Sequence, residues 1–191
     1  MTRPPAGRLP AENDPSLMLG LRKGTVRLVP HAEAWHQMFD QEAGRIRAAV
    51  GGLAAAVEHV GSTAVCGISA KPVIDIAVAV RELADAARCV APLEGLGYEY
   101  RGENGIPGRH YFTMGEPRTH HLHVVELGGE FWRGHLLFRD HLRRHPHAAK
   151  EYDDLKQKLA REHPEDRAAY TDGKAAFITG VIKAAGGVAS G

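Results

Sequence analysis

Apolar positions along this chain follow two periods in turn. After Pro30, Trp35, Met38, Phe39, Ile46 and Val50 recur at three- and four-residue steps, which predicts a helix from about His31 to the Gly51–Gly52 stop. Before it, TVRLV at 25–29 reads as a short strand. AAVEHV at 55–60 and VIDIAVAV at 73–80 are apolar strands joined by a loop of small residues, the pattern of a buried sheet centre. Leu83, Ala86, Ala87 and Val90 return to helical spacing until Pro92 and the Gly95–Gly97 turn. Residues 98–101 and 110–114 predict a hairpin around GENGIPG, and LHVVEL at 122–127 a further strand. From Phe131 the strands stop, and helices are expected at about 131–144, 147–162 and 165–185, with Pro146 and Pro164 at helix starts.

Five or six strands of mixed direction followed by helices make an α+β (mixed α/β) domain with a helical C-terminal layer. No composition shift asks for a boundary inside residues 21–185. Residues 1–20, with four prolines and no apolar period, are expected to form a flexible arm, and 186–191 a flexible tail.

At 191 residues with 43% hydrophobic and 25% charged residues, the chain is long and apolar enough to bury a core without crosslinks. A balance of 24 Lys plus Arg against 23 Asp plus Glu argues against bulk nucleic-acid binding. No apolar run has the length of a membrane span and no secretory core opens the chain, so the expected location is the cytoplasm. Cys66 and Cys89 are too few for a disulfide framework, and two free thiols are expected.

Three places carry candidate chemistry. Gly61, Ser62 and Thr63 open a loop whose backbone and hydroxyls could hold phosphate oxygens, although small residues also make ordinary turns, and Lys71 does not follow a glycine as in a Walker loop. Asp75 interrupts a strand of Val, Ile and Ala, and a buried carboxylate needs a metal, a basic partner such as Lys71, or a cleft edge. In THHLHVVE at 119–126, alternation sends His121 and His123 to one face roughly 6–7 Å apart, as a metal-binding pair or as two hydrogen-bonded histidines.

Taken together, EHVGSTAVCGISAKPVIDI at 58–76, THHLHVVE at 119–126 and FRDHLRRHP at 138–146 resemble the GrpB family, and the similarity continues through YTDGK at 170–174. That family is similar to the nucleotidyltransferase superfamily that includes DNA polymerase beta. The resemblance implies a mixed sheet on which Gly61 and Ser62 hold the phosphates of a nucleoside triphosphate, Asp75 binds a divalent metal such as Mg or Mn, and Lys71 offsets phosphate charge. Nucleotidyl transfer to a small acceptor would then depend on positioning and charge neutralisation.

The chain departs from that pattern in two places. The superfamily pairs carboxylates two residues apart on this strand, whereas position 77 is Ala. His121 and His123 could supply the missing ligands, and an Asp-His-His set favours Zn, Mn, Fe or Ni over Mg. The resemblance also leads to Pro after TAV, where this chain has Cys66. The leading expectation is a metal-dependent nucleotidyltransferase-like enzyme, with Asp75 and His123 as its catalytic residues. The alternatives are a non-catalytic nucleotide- or metabolite-binding module, or a mononuclear Asp75/His121/His123 metalloenzyme of another reaction class. A small-molecule substrate is expected in each case.

Overall fold

The structure, a computed structural model, describes residues 19–186. A five-stranded sheet runs in the order β1-β2-β5-β4-β3, from β1 (Ala54–Val60), β2 (Ile74–Val80), β3 (Glu99–Tyr100), β4 (His110–Met114) and β5 (His120–Glu126). The β2–β5 pair is parallel and the other three are antiparallel. Six helices accompany it: α1 (Ala34–Val50), α2 (Val90–Glu94), α3 (Glu130–Arg144), α4 (Pro146–Glu162), α5 (Arg167–Asp172) and α6 (Ala175–Ala184). The expected mixed α+β architecture is present.

Alternation along β2 explains the layers. Ile74, Ile76, Val78 and Val80 pack with Trp35, Ile46 and Val50 of α1 and Leu93 of α2. Ala77 and Ala79 point the other way and join Val60, Val125 and Trp132 of α3. A strand covered on both faces reads as a continuous apolar run. Trp35 and Ile46 are fully buried, and each such aliphatic or aromatic side chain contributes about 1.5–3 kcal/mol. Small alanines on the second face let α3 approach closely and leave Asp75 at the strand's open end.

The loop between β1 and β2 is pinned from the helical layer. Arg139 of α3 donates from Nη1 to Glu58 Oε2 at 2.6 Å and to the His59 carbonyl at 2.9 Å. Arg143 Nε donates to the Ala64 carbonyl at 2.8 Å, and Asp153 of α4 accepts from the Ser69 amide at 2.8 Å. Buried Lys156 donates to the Ser69 carbonyl and pairs with Asp153 at 3.3 Å. These contacts fix both ends of the turn that carries Gly61 and Ser62.

Several expected elements take other forms. TVRLV is no sheet strand: Val29 exchanges backbone bonds with Ala70 and Val26 donates to the Pro164 carbonyl, so the segment lies along loops. The helix expected from Leu83 winds as a tight 3-10 segment to Cys89 before α2. A continuous α-helix there would drive the Pro92 ring against the Arg88 carbonyl. The last expected helix is broken into α5 and α6 at Gly173, where an added Cβ would lie 2.5 Å from Leu159 Cδ2. Pro146 opens α4 as expected, whereas Pro164 sits in the turn before α5. The expected arm at residues 1–20 and tail at 186–191 fall almost wholly outside the described residues, but Gly20 donates to the Pro72 carbonyl and Leu21 pairs with Arg118.

Candidate functional site

Strand register brings the candidate residues together. Val60, the last residue of β1, pairs with Asp75, and Asp75 in turn lies opposite His121 on β5. Ala77 lies opposite His123. Tyr111 and Thr113 of β4 continue the row beside His123 and His121. Gly61 follows Val60 directly, with φ 72° and ψ −172°, a conformation open to glycine alone. A Cβ there would lie 2.5 Å from Asp75 Oδ2. The turn thus presses against the carboxylate, which keeps 31% of its side chain exposed.

His121 Nδ1 donates to Asp75 Oδ1 at 2.8 Å, leaving its Nε2 without a partner among the described residues. Burial pushes the Asp75 carboxyl upward, but the His121 hydrogen bond and the field of His121, His123 and Lys71 outweigh it and hold its pKa far below the carboxylate range. His123 is buried, stacks on Tyr111 with ring centroids 5.2 Å apart, and lies 5.0 Å from the Phe131 ring. Its Nδ1 has no partner, and burial drives its pKa well down, so the ring is neutral near neutral pH.

Two lysines lie near enough to feel this carboxylate, and two arginines lie near the first of them. Lys71 and Lys174 lie over the Tyr170 ring at 5.4 and 4.4 Å from its centroid, and both feel Asp75. Arg118 and Arg167 line a narrow recess with Lys71 and His121. Burial and then repulsion from Lys71 lower the Lys174 pKa to about 7. Burial likewise lowers that of Lys71, where Asp75 opposes the shift. A surplus of positive charge beside a partly open carboxylate suits an anion carrying more than one negative charge.

Of the residues expected from sequence, Gly61 and His121 both contact Asp75, and Lys71 is near enough to act on its charge. Ser62 opens the short 3-10 turn after Gly61. Thr63 is turned inward, its hydroxyl 2.9 Å from His59 Nε2. Asp75, His121 and His123 do not converge on one point within 4.8 Å; among the described residues a different group does so, His31, Glu33, His36 and Cys66. Sequence reading assigned no role to Arg118, Tyr111, Arg167 or Lys174. Of these, Lys174 alone lay in a motif already singled out, YTDGK.

A mixed sheet with a glycine turn packed against a solitary strand aspartate defines an α+β domain. The GrpB protein family profile matches residues 25–184, and the chain belongs to that family. It is 41% identical over 157 residues to the UPF0157 protein YqkA of Bacillus subtilis, covering 82% of this chain and 46% of that one, so it spans about half of that relative's length. The glutamate-rich protein GrpB of Alkalihalophilus pseudofirmus is 38% identical over 171 residues, 86% of this chain and 98% of its own. The crystal structure of the conserved protein GrpB from Enterococcus faecalis superposes with a TM-score of 0.78 at 37% identity, covering 83% of this chain and 96% of that one. More distantly, a dephospho-CoA kinase of Mycolicibacterium paratuberculosis is 30% identical over 176 residues, 78% of this chain and 43% of its own.

Proposed function

We propose that the cleft binds a nucleoside triphosphate and transfers its nucleotidyl group to a small acceptor. The observation that carries this reading is the contact of the Gly61 turn with Asp75, with Lys71 and Lys174 near that carboxylate and Arg118 and Arg167 near Lys71. The Gly61–Ser62 backbone would cradle phosphate oxygens, and the four cations would neutralise them. The kinship with a dephospho-CoA kinase supports a nucleotide as ligand.

The site fits a divalent ion only together with phosphate. One carboxylate flanked by cations is a poor cage for a bare ion, whereas Mg or Mn commonly uses one or two carboxylates plus substrate oxygens, here with Asp75 as the protein ligand. When bound, the ion would offset charge developing on the phosphates. His121 is held by Asp75 through Nδ1, so its free Nε2 is placed to accept the acceptor's proton, with neutral His123 beside it. The acceptor oxygen would then form a bond to the α-phosphorus, and the bond from that phosphorus to the α–β bridging oxygen would break, releasing pyrophosphate.

Ala77 supports a second reading, a binding module without transfer, because it occupies the place of a second carboxylate. Calorimetry with ATP, GTP, CTP and UTP at millimolar Mg or Mn, with pyrophosphate release measured in parallel, separates the two. Saturable binding with metal-dependent release supports transfer. Binding without release gives the module, and no binding to any of the four overturns both.

A further inference from the structure

A second cluster lies on the opposite side of the β1–β2 loop. His31 and Glu33 sit on the turn entering α1, His36 is in the first turn of α1, and Cys66 comes from the loop after β1. One ligand atom from each of the four lies within 4.8 Å of all the others. His36 Nε2 is 3.4 Å from Cys66 Sγ, and His31 Nε2 is 3.9 Å from Glu33 Oε2.

We propose that His31, Glu33, His36 and Cys66 bind one transition-metal ion of the zinc class.

The spacing suits that ion. Around a tetrahedral Zn with bonds of about 2.0–2.3 Å, ligand atoms stand roughly 3.3–3.8 Å apart. The His36–Cys66 separation already has this value, and the rest need side-chain adjustments on the order of 1 Å. Glu33 and Cys66 are exposed, which gives the ion a way in and the side chains freedom to close. The donor set, one thiolate, two imidazoles and one carboxylate, neutralises a divalent charge and is too soft for Mg or Ca.

An independent observation points to a missing ligand. Both ring nitrogens of His31 are buried, and neither has a hydrogen-bond partner among the described residues. A desolvated imidazole without a partner is costly, and a metal bond to one nitrogen removes much of that cost. His36 is itself held edge-on to His59, at 5.4 Å between centroids, and His59 bonds Thr63 in the Gly61 turn.

The bound ion would join the start of α1 to the β1–β2 loop, crosslinking segments thirty residues apart. It would thereby brace the turn that presses on Asp75.

Co(II) titration of the metal-free full chain tests this. One equivalent should bind with a thiolate-to-cobalt charge-transfer band and the intense visible bands of tetrahedral cobalt, and Zn(II) should erase both. Cys66→Ser should abolish the charge-transfer band, and His36→Gln should weaken binding by about tenfold or more. Asp75→Asn should leave the spectrum unchanged. Zn(II) should also protect Cys66 of the unmutated chain from alkylation, read by mass spectrometry, which needs no variant to fold. No charge-transfer band, a band that survives Cys66→Ser, a spectrum lost in Asp75→Asn, or an unprotected Cys66 would each overturn the proposal.

Discussion

Asp75 and His121 stand directly opposite each other on the parallel β2–β5 pair, joined by a 2.8 Å bond from Nδ1 to Oδ1. This pair settles which imidazole nitrogen is free, and it helps to hold the carboxylate ionised. Its environment makes the following outcomes specific.

Asp75→Asn keeps the side-chain shape but removes the charge, and should lower stability at neutral pH by about 1–3 kcal/mol. The native carboxyl is depressed below its ordinary value of 3.8, so its contribution is complete above that value and is lost as pH falls through the folded-state pKa. Urea melts at pH 7 and pH 3 should show the gap between wild type and variant narrowing in acid. The same variant should lose the metal-dependent part of any nucleotide heat.

Gly61→Ala places a methyl group against Asp75 Oδ2 in a backbone conformation that disfavours any side chain. The expected cost is about 1–3 kcal/mol, measured as a lowered melting temperature. Because the turn must move away from the carboxylate, nucleotide affinity should fall as well.

Anion affinity should depend on pH through Lys174. Its pKa of about 7 means that its charge is lost as pH rises past neutrality, so affinity for sulfate, whose own charge is constant there, should decline above pH 7. Lys174→Met should bind sulfate more weakly at pH 6 and show a flatter profile. A wild-type profile that is level from pH 6 to 8 would contradict this assignment.

Arg139→Met removes the bonds to Glu58 and to the His59 carbonyl while retaining most of the side-chain bulk. Arg139 is nearly buried, at 9% exposure, but Glu58 stays 37% exposed and can be rehydrated. The loss should therefore be about 1–3 kcal/mol, rather than that of a fully buried ion pair. Denaturant midpoints measure it.

The central strands and α1 were legible because their periods are strong and long. The alternation of THHLHVVE also put His121 and His123 on one face, but it took the parallel pairing of β2 with β5 to set Asp75 opposite His121. Short-range pattern could not show that Val29 would pair with Ala70 in isolation, nor that Gly173 would interrupt a helix-forming stretch to make room for Leu159. Both outcomes depend on neighbours distant in sequence. The cations of the cleft were hidden for the same reason: Lys71, Arg118, Arg167 and Lys174 come from four separate segments, and no local spacing announces their convergence. The cluster at His31, Glu33, His36 and Cys66 is similar, since its thiol arrives from a loop thirty residues away.

The parallel pairing of β2 with β5 has a consequence for how the molecule assembles. Antiparallel neighbours can zip from a tight hairpin, but these two strands meet only after the intervening α2 and the β3–β4 hairpin have been laid down as a crossover. The aspartate–histidine contact therefore joins residues forty-six apart in sequence. A chain that stops short of β5 would leave Asp75 without its histidine, however well the rest of β2 is placed.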